Sequence, residues 1–223
     1  MNKERKLLVQ RLGLIDYQTG LVLQKEIEQA VKLRTQPDTL LLLEHPHTLT
    51  IGRRGDSSAV LLDAEQLQQR NVTVFETNRG GKVTYHGLGQ LVGYPIVNLS
   101  PDREDVHRYM RDLEDVLIRA MSDFDVKAFR IDGLTGVYTH RGKIAAIGVH
   151  ISRWVTTHGF ALNVNTDLGY FDFIIACEGE PVTSMEQLLG SETQLSEVED
   201  RIVARFAEVF AMRVEMDSCL QLT

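Results

Sequence analysis

Apolar residues recur every three or four positions in several segments, and this spacing predicts amphipathic helices. The clearest stripe, within residues 102–124, consists of Val106, Tyr109, Met110, Leu113, Leu117, Ala120, Met121 and Phe124. A second stripe near the end of the chain consists of Leu195, Val198, Ile202, Phe206, Val209 and Phe210. Residues 16–35 place many helix formers behind Asp16, a residue type that caps helices, and a short helix is expected to begin at Asp63.

Period-two alternation and short apolar runs predict strands elsewhere. Strands are expected at residues 39–43, 72–77, 91–99 and 172–177, and several antiparallel strands within 126–164. Turns are expected near Gly133 and at Arg141 and Gly142, and residues 44–55 are expected to form an irregular polar loop. Together the elements predict one α+β domain over residues 1–223, a mixed sheet with helices on one side.

The chain of 223 residues carries 24 basic and 31 acidic side chains, a formal net charge of −7. A negative surface repels nucleic acids and anionic membranes, so neither is expected as a partner. The first apolar run breaks at Gln10 and Arg11, too early for a signal peptide, and no window approaches the ~18 apolar residues of a membrane span. We therefore expect a cytoplasmic protein whose two cysteines, Cys177 and Cys219, are free thiols.

Residues 79–90 combine four glycines with arginine, lysine, tyrosine and histidine. Glycines let a backbone approach a ligand and expose its N–H donors, while the polar side chains supply anchors. The segment lacks the spacing of a Walker A phosphate loop and the strand-to-helix context of a dinucleotide fingerprint. The favoured interpretation is a ligand-binding loop, and the alternative is an ordinary glycine-rich turn.

Cys177 and Lys143 are the candidates for catalytic chemistry. Cys177 follows an apolar run and precedes a loop with Gly179 and Pro181, which suits a nucleophile at a strand edge, although free cysteines also pack as buried apolar residues. Lys143 begins a strand with small residues beside it, and an ordinary exposed lysine is the alternative. Because a nearby cation lowers a thiol pKa from its ordinary value of about 8.5, the two residues together would form a dyad for acyl transfer.

The seven histidines raise the question of a metal site, because imidazole is a common zinc ligand. His45 and His47 would need a third ligand from elsewhere, so no metal site is predicted. His107 is expected on a solvated helix face, whereas His86 and His158 lie inside motifs and are interpreted as pocket or orienting residues. No G-x-S-x-G elbow of a serine hydrolase occurs in the sequence.

Four segments, residues 41–55, 79–99, 136–168 and 171–184, occur in an order that is typical of one enzyme family. On these residues the chain resembles the lipoyl(octanoyl) transferases, which make protein-bound octanoate for lipoate synthesis. The resemblance covers nearly the whole chain. It implies the fold of the biotin and lipoate protein ligases, whose mixed sheet and flanking helices hold an acyl pocket, and it implies no cofactor and no ATP.

Matched residue by residue, the resemblance implies that Cys177 is the acyl-thioester nucleophile and that Lys143 lowers its pKa. The substrate-contacting residues that it implies are Arg79, Gly80, Gly81, Lys82, Val83, Thr84, Tyr85, His86, Ala146, Ile147, Gly148, Gly159, Phe160 and Ala161. The implied donor is octanoyl-acyl carrier protein, and the implied acceptors are lipoyl domains of 2-oxoacid dehydrogenase E2 subunits and glycine cleavage H protein. We further hypothesise that the acidic carrier is attracted by Arg53, Arg54, Arg79 and Arg153.

Three positions depart from the family's usual pattern: Leu88 and Ala176 stand where it has prolines, and Glu178 stands where it has a glycine. A carboxylate facing the thiolate would raise the thiol pKa, so Glu178 is expected to point to solvent. One alternative function is an ATP-dependent lipoate-protein ligase of the same fold. Others are a non-catalytic module that binds the carrier or lipoyl domains, and a thioesterase in which water replaces the acceptor amine.

Overall fold

The computed structural model describes residues 5–175 and 181–216. Its strands are β1 (Arg5–Leu14), β2 (Asp38–Glu44), β3 (Thr48–Ile51), β4 (Thr73–Glu76), β5 (Val83–His86), β6 (Gln90–Ile96), β7 (Val137–Thr139), β8 (Gly142–Ser152), β9 (Val155–Asn163) and β10 (Met212–Met216). Its α-helices are α1 (Tyr17–Lys32), α2 (Ala64–Gln69), α3 (Val106–Ser122), α4 (Met185–Leu189) and α5 (Leu195–Phe210). Short 3-10 helices lie at Ser57–Ala59 and Leu168–Phe173.

Seven of the described strands form one mixed sheet in the order β10-β1-β2-β6-β9-β8-β7. Strand β1 runs parallel to both β10 and β2, and the pairs from β2 to β7 are antiparallel. The other three described strands form a small sheet in the order β4-β3-β5. The predicted mixed sheet is therefore confirmed, and a second sheet accompanies it.

Helices cover both faces of the large sheet, so the prediction of helices on one side is wrong. Along β2, Leu41 and Leu43 join the core under α1, while Leu40 and Leu42 join the core under α3 and α5. A strand that is buried on both faces shows a continuous apolar run instead of an alternation. The run in β2 has this form and is the signal for a second covered face.

The four predicted helices are confirmed: α1 and α2 have the predicted caps, and α3 and α5 have the predicted apolar stripes. The Asp16 carboxylate accepts a hydrogen bond from the Thr19 N–H at the start of α1, and Asp63 forms a capping box with Gln66 at the start of α2. Helices α3 and α5 bury most of their predicted stripes. None of the helices within residues 5–175 and 181–216 has the length and hydrophobicity that a membrane span requires.

Several local predictions are wrong. The expected loop over residues 44–55 contains the fully buried strand β3, and the glycine-rich segment contains β5. The expected strand over residues 172–177 begins instead in the 3-10 helix Leu168–Phe173, and β1, β10 and α4 were not predicted. Strand β3 pairs with β4 and β5, neighbours that lie far from it in sequence, so no local pattern specifies it.

Candidate active site

A cavity of about 430 Å³ opens between the small sheet, α3 and β8. We call it the outer pocket, and its volume is in the range of about 300–1,000 Å³ that small-ligand pockets occupy. Within the described lining every charged or titratable side chain is basic, although the chain as a whole is acidic: these side chains are Arg54, Arg79, Lys82, His107 and Lys143. The exposed residues Arg54, Lys82 and His107 form what we call the mouth.

A smaller cavity of about 40 Å³ adjoins the outer pocket. This inner chamber shares Arg79, Thr84 and residues 146–148 with the outer pocket. The rest of its wall is formed by Tyr17, His86, Tyr94, His158, Gly159, Phe160 and Ala161. The two spaces together form a site that runs from the charged mouth to an interior of aromatic and histidine side chains.

Strands β8 and β9 bring two of the predicted substrate-contacting segments side by side. Ala146 pairs with Ala161, Ile147 with Phe160, and Gly148 with Gly159. These segments are separated in sequence by the hairpin turn at residues 153–154, yet they form one continuous patch of the pocket wall. The small side chains on this patch leave room for a ligand.

Arg79 is buried and holds the glycine-rich loop to the small sheet. Its guanidinium donates hydrogen bonds to the hydroxyl and carbonyl oxygens of Thr50 and to the carbonyl oxygens of Gly80 and Lys82. The Gly80 N–H donates to the Val149 carbonyl of β8 at 2.9 Å. The loop therefore links the two sheets at the pocket.

Gly148 makes that contact between loop and strand possible. A Cβ atom at this position would lie 2.8 Å from the Gly80 carbonyl oxygen. No side chain fits between the loop and β8 at this distance without a shift of the backbone.

Lys143 lies at the beginning of β8, in the wall of the outer pocket. Its N–H donates to the Pro181 carbonyl at 2.8 Å, and its carbonyl accepts from the Thr183 N–H at 3.0 Å. Its ammonium nitrogen lies 5.2 Å from the centre of the Tyr138 ring, within cation–π distance. The backbone of Lys143 is therefore hydrogen-bonded to residues 181 and 183.

Cys177 lies outside the described residues, as do Ala176, Glu178 and Cys219, so their predicted roles and orientations stay predictions. The chain on both sides of Cys177 is anchored at the pocket. Before it, the Ile175 N–H donates to the Ala59 carbonyl at 2.8 Å, and Ile174 lines the outer pocket. After it, Val182 forms an isolated parallel β-bridge with Lys143 and lines the same pocket.

A series of buried hydrogen bonds connects the inner chamber to Thr183, in the segment that follows Cys177. The Nδ1 of His86 donates to the Gln90 amide oxygen at 2.9 Å, and the Gln90 amide nitrogen donates to the Asn163 amide oxygen at 2.9 Å. The Asn163 amide nitrogen then donates to the Thr183 carbonyl at 3.1 Å. His86 thus lines the chamber and begins this series of hydrogen bonds, and its predicted orienting role stays a prediction.

Burial keeps the chamber histidines neutral near pH 7. It lowers the pKa of His158 to about 4, with a smaller effect from the charge of Arg79, and lowers that of His86 well below its ordinary value. His107, by contrast, is exposed on α3 as predicted.

His45 and His47 are engaged in separate hydrogen bonds. The ring nitrogens of His45 contact the Ile15 carbonyl and the Tyr94 hydroxyl, both at 2.8 Å. His47 Nδ1 contacts the Tyr85 hydroxyl at 2.8 Å. In the part of the chain that the structure describes, no group of three potential ligands from histidine, cysteine, aspartate and glutamate could hold a metal ion.

One of the four arginines expected to attract a carrier is buried. Arg79 is only 7% exposed and engaged by the loop it holds. Arg153 lies in the turn after β8, four residues beyond Val149 of the outer pocket, and lines neither cavity. Arg53 and Arg54 are exposed, and Arg54 lines the outer pocket.

Most of the predicted substrate-contacting residues line one of the two cavities, and Tyr85 does not. Its side chain is fully buried beside Tyr170 in the core of the small sheet, because alternate residues of β5 point to opposite faces. Sequence reasoning missed Tyr17, Tyr94, Met110 and Thr135, which also line the site. Met110 and Tyr94 lie in patterns that predict core positions, and no local signal distinguishes a pocket wall from a core.

The sequence matches the lipoyl protein ligase A/B catalytic domain family over residues 16–207. It is 49% identical to an octanoyltransferase of Solibacter usitatus over 207 residues, covering 92% of this chain and 94% of the relative. It is 41% identical to an octanoyltransferase of Cytophaga hutchinsonii, covering 96% of each chain.

Solved structures of ligases share the fold at much lower identity. A lipoate-protein ligase A bound with ATP superposes with a TM-score of 0.75 at 16% identity, covering 97% of this chain and 90% of that one. The biotin protein ligase of Aquifex aeolicus gives a TM-score of 0.57 at 13% identity, covering 91% of this chain and 70% of that one. The expected ligase-type fold is therefore confirmed.

Proposed function

Because the chain belongs to the lipoyl protein ligase A/B catalytic domain family, we propose that it transfers an octanoyl group from an acyl carrier protein to the target lysine of a lipoyl domain. It is an acyltransferase, like the octanoyltransferases it resembles at 41% to 49% identity over most of its length. The observation that carries the catalytic part of the proposal is the attachment of Lys143 to residues 181–183, the chain that follows Cys177.

In the first step, the Cys177 thiolate attacks the thioester carbonyl of the donor, and the ammonium of Lys143 stabilises that thiolate beforehand. The tetrahedral intermediate then collapses as its bond to the carrier sulfur breaks. Lys143 gives its proton to the departing carrier thiolate. The products are an S-octanoyl enzyme with a neutral lysine and the free carrier thiol.

In the second step, the neutral amine of the acceptor lysine attacks the octanoyl thioester, and Lys143 takes the proton that the amine loses. The bond between the carbonyl carbon and the Cys177 sulfur breaks. An octanoyl amide leaves, and the enzyme returns to its thiolate and ammonium pair. The cycle consumes no ATP.

The charges of the site support a carrier-bound donor. Arg54 and Lys82 lie at the mouth, and no ion pair to either is present among residues 5–175 and 181–216. Unpaired cations attract an acidic partner and speed its association. We propose octanoyl-acyl carrier protein as the donor and lipoyl domains of E2 subunits and glycine cleavage H protein as acceptors, in the cytoplasm, with residues 1–223 acting as one catalytic domain.

Mass spectrometry of the intact protein tests the covalent step. The enzyme is mixed with octanoyl-acyl carrier protein and no acceptor, beside the variants Cys177→Ala and Cys219→Ser. We expect an octanoyl adduct on the wild type and on Cys219→Ser, and none on Cys177→Ala. Addition of a lipoyl domain should discharge the adduct and modify the domain.

Other outcomes would favour the alternatives. Modification of the lipoyl domain that needs ATP and survives Cys177→Ala would indicate a ligase. An adduct that water discharges as fast as the lipoyl domain does would indicate a thioesterase. Binding of the carrier without an adduct in any variant would indicate a non-catalytic module.

A further inference from the structure

Glu114 is a buried carboxylate on the helix that forms one wall of the outer pocket. Val106 and Met110 line the pocket from α3, and Glu114 follows Met110 by one helical turn on the same face. The side chain of Glu114 is only 1% exposed. A carboxylate is almost never buried to this degree unless it is paired, so its partners are informative.

The partners of Glu114 join the two ends of one loop. Its Oε2 accepts hydrogen bonds from Arg111 at 2.7 Å and from the Nε of Arg130 at 3.0 Å. Its Oε1 accepts from the backbone N–H of Gly136 at 3.1 Å. Residues 130–136 are thereby closed at both ends by one side chain, and this loop contributes residues 133 and 135 to the pocket.

Gly136 in turn lies directly against the Lys143 side chain. A Cβ atom at position 136 would lie 2.7 Å from the Cε of Lys143, and the glycine has a φ of +124° that other residues rarely adopt. The ring of Tyr138 lies near the Lys143 ammonium at 5.2 Å. The lysine side chain thus has the Gly136 backbone and an aromatic ring as its immediate neighbours.

We propose that Glu114 is a positioning residue for Lys143, because it fixes the backbone against which the lysine side chain packs. This inference rests on the proposed function, in which the Lys143 ammonium stabilises the Cys177 thiolate. Loss of the bond to Gly136 lets the loop move and the ammonium drift from its position. The other charged or titratable side chains lining the pocket, Arg54, Arg79, Lys82 and His107, come from other segments or from an earlier turn of α3.

Asp115 provides a matched control on the same helix. It accepts a hydrogen bond from the Nη2 of Arg130 at 3.0 Å and pairs with Arg119, so its neutralisation also removes an ion pair to Arg130. The N–H of Gly136 donates to Glu114 and not to Asp115. Glutamine at position 114 keeps one acceptor oxygen, which cannot serve both the two arginines and the Gly136 N–H. Asp115→Asn leaves the Gly136 bond intact, so the comparison separates the hold on Gly136 from general loss of charge.

The experiment measures alkylation of Cys177 by iodoacetamide against pH, in a Cys219→Ser background, together with Tm and steady-state kinetics. For Glu114→Gln we expect the alkylation midpoint to rise by about one pH unit toward the value of about 8.5 of a free thiol. We expect kcat to fall about tenfold with KM unchanged, since misplaced catalytic groups cost rate. Asp115→Asn should keep the wild-type midpoint and kcat.

Equal alkylation midpoints in wild type, Glu114→Gln and Asp115→Asn would overturn the inference, even if Tm fell. A residue with a merely structural role changes stability without changing the pH at which the Cys177 thiol reacts. If Glu114→Gln does not fold, Gly136→Ala is measured in its place, and an unchanged midpoint there overturns the inference. If the wild type forms an octanoyl adduct and the alkylation midpoints of the variants do not shift, this inference alone is refuted. A wild type without an adduct refutes the proposed function.

Discussion

In the inner chamber His86 and His158 are almost fully buried, whereas at the mouth of the outer pocket Arg54 and Lys82 face solvent. The chamber histidines are hydrogen-bonded to neighbouring amides, and burial keeps them neutral. The cations at the mouth form no ion pair among the described residues. One site therefore has an interior with neutral histidines and a single buried cation, Arg79, and an entrance with exposed cations.

This difference suits a substrate that is apolar at one end and carried by an acidic protein at the other. Burial of a charge is costly unless it is paired, so an apolar chain is best received by neutral groups. Charges at a solvent-exposed entrance cost little and act on a partner over a distance of about 8 to 10 Å at ordinary salt. The two ends should consequently respond to different perturbations.

The largest expected effect is on the free energy of unfolding, because the chamber is packed more tightly than the outer pocket. At the chamber, a Cβ on Gly159 would lie 2.2 Å from the Gly93 carbonyl oxygen, whereas at the outer pocket a Cβ on Gly80 has its nearest atom at 3.4 Å. Gly159→Ala should lower the free energy of unfolding by about 3 kcal/mol, and Gly80→Ala by less than about 1 kcal/mol. Urea unfolding of both variants measures the difference, and equal losses would show that the chamber is not the more tightly packed end.

A smaller effect is expected from acid. The pKa of His158 is about 4 in the folded protein and about 6.5 when unfolded, so between these values the unfolded chain binds more protons and stability falls as pH falls. His158→Asn should reduce this slope by up to about 1.4 kcal/mol per pH unit. Unfolding between pH 6 and pH 4.5 measures it, with the exposed His140→Asn as control. An unchanged slope in His158→Asn would contradict the assigned neutrality.

The smallest effect on the enzyme's own stability is expected at the mouth. The double variant Arg54→Glu, Lys82→Glu should raise KM for octanoyl-acyl carrier protein about tenfold at low salt and leave Tm within a degree or two, because exposed charges contribute little to folding. The increase should largely disappear near 0.5 M salt. Arg153→Glu, in the turn after β8 and outside the lining of both cavities, is the control. A KM that changes equally in the control would mean that the mouth is not the docking surface.

Much of the fold follows from local sequence. The caps at Asp16 and Asp63 and the stripes of α3 and α5 are confirmed because they depend on residues within a few turns of each other. Strands β1 and β10 were missed although β1 is ten residues long. They pair with each other across nearly the whole chain, and long-range pairing leaves little trace in a local pattern.

The candidate site, like the fold, was predicted from local sequence only in part. The motifs around Arg79, Lys143 and residues 159–161 identified most of the pocket wall, because residue types suited to binding cluster there. The motifs did not show that Arg79 also holds the loop to the small sheet, or that Tyr85 is buried away from both cavities. Glu114 was not singled out, since a glutamate on an amphipathic helix is usually solvated and its burial depends on a loop sixteen to twenty-two residues further on.

The sequence by itself determined the family resemblance, the main helices, and the set of residues from which the site is made. Only the tertiary structure decided which of these residues meet: it brings β8 beside β9, the chain after Cys177 beside Lys143, and Glu114 beside Gly136. The physical reason is that helix caps and stripes arise from contacts between near neighbours. Burial, charge pairing and pocket shape arise from segments far apart in the chain, and these fix a side chain's role only once the fold has formed.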